Sequence, residues 1–472
     1  MSSLCSGNIT AGFVDLATFD ELEKYLYGGP DATAYFVRET RKSTWFTQVP
    51  VVLSRSAGNP GFGTEWSVSI SRAGDYLLQT WLRVTLPSVS LATGAGGNVA
   101  GRHRLRWTRN LMHALVEETC LTFNDLVAAR FDTYHLDFWA AFTVPAGKRN
   151  GYNNMIGQVD DVTSERDVAE IIPQVTLNLP LPFFFCRDSG VALPTAALPY
   201  NDMRINFRFR DWTSLLCRDD SVDGTSSAPT ITQLGGSTPT VVAAQVWGNY
   251  AIVSNDERKK MACAPRDILI EQVQTAPRQT FTPATNQQQS FDIRFSHAIK
   301  VLFFAVRNTT WSCDWSNYTT RTPDITTTPG VINFTPDGTS DPILQTSLIY
   351  ENTNRLAQMG SDYFSLVQPW FSAPVIPVFT GYHMYSYSLD FVCLDPKGST
   401  NYGKLTNVSI VPEASSAAQS GAGGTYVNQN GSVTNIPGVG GNPLSQTYEF
   451  LTTCVSNNII RISGGALGFP VL

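Results

Sequence analysis

Met203, Ile205, Phe207 and Phe209 alternate with Arg204, Asn206, Arg208 and Arg210. A period of two leaves such a segment one regular solution, a strand with one face in a core and the other toward water. The same alternation recurs in Trp66, Val68, Ile70 and in Tyr76, Leu78, Thr80, Leu82, Val84. A chain written this way folds mainly as half-buried antiparallel sheet. At 472 residues it has room for two sandwiches of about 220 residues each.

Composition excludes several alternatives. Apolar residues make up 42% and charged residues only 15%, so disorder is ruled out as an overall description. With 33 basic and 39 acidic residues the net charge is −6, which argues against wholesale coating of nucleic acid. No apolar run reaches membrane-spanning length: Pro180 and Pro182 break the 177–185 run and Arg461 interrupts 459–472. The eight cysteines form no C-x-x-C pair. Residues 1–13 lack a basic region followed by an apolar one, so a secretory signal is not expected and the thiols are expected to be reduced and mostly buried.

Helices are expected at few places. Thr18 with Glu21 reads as a capping box opening a helix over 19–27, stopped by Gly28, Gly29 and Pro30. Val127, Phe131, Tyr134, Phe138 and Phe142 lie at helical spacing up to Pro145, giving a helix with core aromatics on one sandwich face. Ser254 with Glu257 opens a third, through Met261 and ending before Pro265.

That third helix divides a faint internal duplication. Thr119, Cys120, Leu121, Thr122, Phe123 and Asn124 resemble Thr346, Ser347, Leu348, Ile349, Tyr350 and Glu351, with Arg130 and Arg355 following at similar distances. Val253, Ser254, Asn255 match Val455, Ser456, Asn457, each after a Gly/Ser/Thr/Pro-rich insertion, 213–240 and 412–445, that reads as loop. The expected organisation is an arm with a short helix (1–30), a first sandwich (31–254), a linker helix (255–265) and a second sandwich (266–472).

Candidate chemistry is sparse. Gly398, Gly403 and Lys404 have phosphate-loop spacing, but Leu405 replaces the magnesium-binding hydroxyl and the following residues alternate like a strand. His103, His113, His135, His297 and His383 form no ligand motif. Asp132, Asp137, Asp160 and Asp161 are the acids weighed as a glycosidase pair, with solvated loop the favoured reading. No nucleophile elbow is present. Catalytic, cofactor-binding and metal-binding residues are therefore assigned as none. Arg102, His103, Arg104, Leu105, Arg106, Trp107, Thr108 and Arg109 mix cations with an aromatic, but their alternation favours a subunit contact or solvated edge over nucleic acid. Sequons begin at Asn8, Asn308, Asn317, Asn333, Asn407 and Asn430, and the strand-poor 308–341 reads as an exposed loop. The apolar tail 464–472 is expected to pack beneath its own sandwich.

Several segments together resemble the major capsid proteins of iridescent viruses and, more distantly, those of other large DNA viruses. They are residues 12–18 and 24–29; Trp45, Phe46, Thr47; residues 71–76; residues 179–185 with Arg187, Asp188, Ser189, Gly190 and Ala192, Leu193, Pro194; residues 294–298; and residues 398–407. Arg41, Lys42, Ser43, Thr44 look closer to the invertebrate viruses than to those of fish or frogs. The resemblance covers nearly the whole chain. It implies an all-β chain of two tandem eight-stranded antiparallel jelly rolls with a few short helices, grouped three chains to a pseudo-hexagonal capsomer. Such capsomers tile an icosahedral shell over an internal membrane and DNA genome, with minor capsid and penton proteins as further partners, in a virion assembled in the host cytoplasm. It further implies that 88–103, 213–240, 309–342 and 412–445 gather at one end and face outward.

Two function classes follow: a non-enzymatic shell subunit without cofactors, and a carbohydrate-binding or carbohydrate-cleaving sandwich. The second predicts a monomer with sugar affinity, the first self-association.

Overall fold

The computed structural model describes residues 2–284, 288–321, 340–427, 433–435 and 444–469. Residues 1–45 form one compact unit and 46–472 another. The first carries helices α1 (Ser2–Ala17) and α2 (Glu21–Leu26). The capping box of α2 uses Asp20 and Glu23, not Thr18 and Glu21, because Asp20 supplies the stronger acceptor for the first-turn N–H groups. Helix α1 has no counterpart among the expected elements.

Sixteen of the strands described in the second unit build two matching halves. β1 (Phe46–Val52), β2 (Glu65–Ser69), β3 (Tyr76–Leu86), β4 (Val116–Phe123), β5 (Leu126–Asp132), β6 (Val175–Pro180), β7 (Met203–Phe209) and β8 (Ala243–Val253) build the first half. β9 (Arg266–Thr275), β10 (Phe291–Asp292), β11 (Ala298–Asn308), β12 (Ile343–Tyr350), β13 (Thr353–Gly360), β14 (His383–Ser386), β15 (Val408–Ala414) and β16 (Tyr448–Ser463) build the second. The sheets run β1-β8-β3-β6 and β2-β7-β4-β5, then β9-β16-β11-β14 and β10-β15-β12-β13, all antiparallel. Adding eight to each strand number converts one half into the other. Both halves therefore have jelly-roll order.

Two details show that the halves correspond residue by residue. The β4–β5 hairpin turns through Asn124 and Asp125, and β12–β13 through Glu351 and Asn352, all four at positive φ, as a two-residue turn of this hand requires. The β3–β8 ladder bulges at Leu78 and the β11–β16 ladder at Lys300. The bulge sets the correspondence of β8 with β16 four residues away from the one expected from Val253 and Val455.

A bulge inserts one residue, so it also flips the alternation on either side of it. Thr80, Leu82, Val84 and Leu86 point into the core, but before the bulge Leu77 is the buried residue, in place of the expected Tyr76 and Leu78. In β7 the expected faces hold through Phe209; Arg210 lies past the strand and is turned inside rather than outward.

The other helices differ in extent. Val127 and Phe131 belong to β5, and helix α3 covers only Thr133–Thr143, capped by the Asp132 carboxylate on the His135 N–H at 3.0 Å. Helix α4 (Asn255–Cys263) follows Ser254, whose side chain makes no capping bond. The insertions read as loop are partly ordered: Leu216–Asp220 and Thr225–Ser227 are strands, residues 412–414 continue β15, and Ser416–Ala422 is helical. Residues 308–321 are mostly buried under the first half, contrary to the expected exposed loop; 322–339 lie outside the described residues.

Candidate assembly interface

The informative site for a shell subunit or any self-associating sandwich is the joint between the two halves. Helix α3 leaves β5 and lays Tyr134, Phe138, Ala141 and Phe142 on the outer face of the β9-β16-β11-β14 sheet. Spacings of three and four put these side chains on one helix face. Phe303 of β11 receives both rings, stacked on Phe138 at 5.6 Å and on Phe142 at 5.5 Å, while Phe391 meets its edge. Val301, Ala305, Met384, Leu451 and Val455 complete the floor. The aromatics expected on helix α3 are thus core, but the core lies between the halves.

Charged groups flank this apolar seam. Arg187, Glu271 and Lys300 form a buried cluster, with the Glu271 carboxylate accepting from both cations and Lys300 Nζ donating to the Cys393 carbonyl at 2.6 Å. Lys300 is the bulge residue of β11, and the bulge is what turns its side chain beneath the sheet. Arg187 also lies over the Trp139 ring at 4.4 Å. On the other side, Asp137 of α3 bonds His113 Nδ1 at 2.8 Å and accepts from the hydroxyls of Tyr318 at 2.8 Å and Ser316 at 3.0 Å. Burial, with Asp137 beside it, drives the Tyr318 hydroxyl far above its ordinary pKa. Arg210 and Arg307 both lie over the Trp315 ring, at 3.7 and 4.3 Å, and its indole N–H donates to the Ser214 carbonyl.

The basic segment 102–109 is not a solvated edge: its cations are matched within the chain. Arg102 grips Asp220 through two bonds of 2.8 Å, Arg104 pairs Glu165 at 2.8 Å and Arg106 pairs Asp219 at 2.7 Å. Arg109 reaches the second half, donating to the Ser316 carbonyl at 3.1 Å. Cations already matched to carboxylates offer little to phosphate. Asp220 is held well below the ordinary carboxylate range: burial opposes this, but the Arg102 bond and the Val222 and Asp223 N–H groups outweigh it.

The four acids weighed as a pair do not meet as one. Asp132 caps α3, Asp137 is bonded to His113, and Asp160 and Asp161 open a short helix. The carboxylates that do face each other are Glu165 and Asp219, which the alternation gave no reason to pair. Both side chains are sealed from solvent, so no substrate reaches them. Burial and the Asp219 charge raise Glu165 to about 7. Among the described residues no group of three His, Cys, Asp or Glu side chains has metal-binding geometry. Residues 398–404 form a strand and turn without a helix behind Lys404, so no N–H cradle for phosphate exists there.

Of the sequons, Asn8 and Asn407 are exposed, whereas Asn308 and Asn317 are buried and hydrogen-bonded to the Thr319 and Arg321 carbonyls. Asn333 and Asn430 lie outside the described residues. Cys120, Cys217, Cys313 and Cys454 are buried free thiols, Cys186 and Cys393 are partly covered, and Cys263 is exposed. The described part of the tail folds back as the strand Ala466–Gly468 on β16, with Leu467 and Phe469 against the first core. No described helix is long and apolar enough to cross a membrane.

A family model described as the large eukaryotic DNA virus major capsid protein matches residues 257–468, and one described as the major capsid protein N-terminus matches 34–253. The major capsid protein of Costelytra zealandica iridescent virus is 61% identical, with both chains covered completely. That of invertebrate iridescent virus 6 is 60% identical over the whole of both chains, and that of frog virus 3 is 43% identical over the same extent. Among solved structures, VP54 of PBCV-1 superposes with a TM-score of 0.74 at 20% identity, over 93% of this chain and 100% of the other.

Proposed function

Since this chain belongs to the major capsid proteins of large eukaryotic DNA viruses, and is therefore a structural subunit of a virion shell, we propose that three copies join as one pseudo-hexagonal capsomer. The observation that carries this reading is the side-by-side placement of two matching sandwiches. Gln272 of β9 donates to the Ala128 carbonyl of β5, and α3 lies across the neighbouring sheet. Three chains with two like domains each present six like wedges, so a threefold object fills a nearly sixfold lattice position. The interface inside such a capsomer would bury more than ~2,000 Å², and contacts between capsomers would be smaller and more polar.

We place the boundary between the sandwiches at the linker 255–265, where Arg258 of α4 holds the buried Asp75 carboxylate at 2.7 and 2.9 Å. Residues 88–103 and 213–240 meet at one end of the first sandwich through the Asn98 and Gln233 bonds, and 309–342 and 412–445 meet in the second where the Ser415 hydroxyl donates to the Asp341 carbonyl. We assign that end to the virion exterior and the opposite one to the internal membrane. Minor capsid and penton proteins complete the partner set, assembly takes place in the host cytoplasm, and no residue is assigned a catalytic, cofactor or metal role. Nothing supports the carbohydrate-binding alternative.

Light scattering of the purified full chain should report three times the chain mass, and electron microscopy of concentrated protein should reveal hexagonal arrays. A stable monomer at micromolar concentration would overturn the trimer.

A further inference from the structure

We infer that Cys217 and Cys313 are a modification site: a peroxide joins them as an intrachain disulfide that staples the first sandwich to the second. The site goes beyond the capsomer reading and lies within one chain, so it stands or falls separately from the trimer.

Cys217 sits on the strand Leu216–Asp220, an insertion of the first half, and Cys313 on the segment that follows β11 in the second. Both are free thiols, fully buried. Cys217 pairs across the ladder with Arg106, and Asp219, two residues on, pairs with Ser226 of the strand Thr225–Ser227. Side chains two apart on a strand, and those directly opposite on its neighbour, share one face. Arg106, Cys217, Asp219 and Ser226 therefore make one buried patch, and Cys313 is set on it. The Cys217 thiol donates to the Cys313 carbonyl at 3.4 Å, and the Cys313 sulfur lies 3.4 Å from the Ser226 hydroxyl. The charge of the Arg106 guanidinium acts on both sulfurs.

The segment carrying Cys313 is clamped from both halves, so the thiols stay opposed. Arg109 donates to the Ser316 carbonyl, the Trp315 indole N–H donates to the Ser214 carbonyl at 2.8 Å, and Arg307 donates to the Trp315 carbonyl at 3.0 Å. A sulfur held against its partner turns a bimolecular step into an intramolecular one. Other thiols face other groups: Cys186 meets the Thr80 hydroxyl, and Cys393 meets the Asp395 carboxylate. Hydrogen peroxide is close to water in size, and the step balances with it. One thiol attacks, the O–O bond breaks, an S–O bond forms and water leaves, giving a sulfenic acid. The second thiol attacks that sulfur; the S–S bond forms, the S–O bond breaks and a second water leaves. Two electrons pass from sulfur to oxygen, and both thiol hydrogens end in water. Burial and the neighbouring Cys313 thiol raise the Cys217 pKa well above its ordinary value, with Arg106 opposing them, so the reaction is slow. The product closes a loop across the linker 255–265 and is sealed from reductants.

To test this, the folded full chain is treated with hydrogen peroxide, quenched with catalase, unfolded and blocked at its remaining thiols with N-ethylmaleimide. Peptide mapping by mass spectrometry should return the Cys217 and Cys313 peptides joined, two hydrogens lighter than their sum, in most molecules. Oxidation of the exposed Cys263 confirms that the reagent acted. The joined chain should melt at least about 3 °C above the reduced one, and reduced glutathione should fail to open the bond until the protein is unfolded. Cys313→Ala, treated alike, should yield no joined peptide and no rise in melting temperature. Cys217 and Cys313 both alkylated while Cys263 is oxidised would overturn the site. Sulfinic acid at either one would overturn it too, since the partner then failed to resolve the sulfenic acid. A joined peptide with an unchanged melting temperature would overturn the staple. The wild-type map needs no variant, so it decides the matter even if Cys313→Ala does not fold. A monomeric chain that forms the bond would sink the trimer and keep this site.

Discussion

Glu271 and Lys300 pair across two strands of the second sandwich with neither side chain open to solvent, and Arg187 from the first sandwich closes on the same carboxylate. The joint thus contains two cations served by one acid. Taking away the acid strands both, whereas replacing a whole buried pair with apolar groups of similar size is commonly tolerated. Glu271→Ala should cost about 3–5 kcal/mol in denaturant unfolding, and Glu271→Leu with Lys300→Met much less. Equal losses in the two variants would mean that the cluster does not act as a unit.

Phe303 carries the apolar part of the same joint. Phe303→Ala removes the ring stacked on Phe138 and Phe142, at a cost of about 3–5 kcal/mol. Trp370→Ala, at an exposed position, should change the monomer's stability by less than about 0.5 kcal/mol. Urea titration of both variants compares a buried aromatic with an exposed one.

His135 should make the fold sensitive to mild acid. It is fully buried against Trp139 and Phe131, and burial, with Arg187 nearby, lowers its pKa from 6.5 to about 3. Between these values the unfolded chain takes up a proton that the folded one refuses. Stability therefore falls as pH drops below 6.5, by up to about 1.4 kcal/mol per pH unit from this group. His135→Phe keeps the stacking and removes the titration. The stability difference between variant and wild type should widen from pH 6.5 to pH 4; a constant difference would refute the assignment.

Glu165 works in the opposite direction. Its pKa is raised from 4.5 to about 7, so the folded chain holds a proton that the unfolded chain has lost. The contribution is fully present below pH 4.5 and disappears as pH rises through 7. Glu165→Gln mimics the protonated form, and its stability relative to wild type should increase between pH 4.5 and 8 in thermal melts.

Asn308 and Asn317 should carry no glycan in the native protein, because their side-chain amides are buried and engaged. Peptide mapping of virion-derived protein should return both unmodified. Asn308→Asp should lower stability by about 1–3 kcal/mol, since the Thr319 carbonyl loses its donor.

Much of this architecture was legible in the chain because alternation is a local property. A strand face can be read from four or five residues, as in β7, whereas the hairpin at Asn124 and Asp125 was hidden because Val127 and Phe131 also fit helical spacing. The duplication was visible where turns demand particular residues and misplaced by four where the strands slide, since β8 and β16 carry no such marker. Bulges defeat the reading for the same reason. Nothing near Leu78 or Lys300 announces an extra residue, yet one insertion reverses every side chain beyond it. Glu165 and Asp219 went unpaired in the sequence because 54 residues separate them and only the ladders around His103–Trp107 bring them together.

The sequence by itself determined that the chain is all-β, that it contains two related halves, and which family it resembles. Each of these depends on neighbours along the chain or on order along it. The tertiary structure alone decided that the aromatics of helix α3 serve the joint between the halves and that the basic segment is neutralised internally. Those outcomes depend on which surfaces meet after the sheets have formed, and burial is a property of that meeting, not of any single segment.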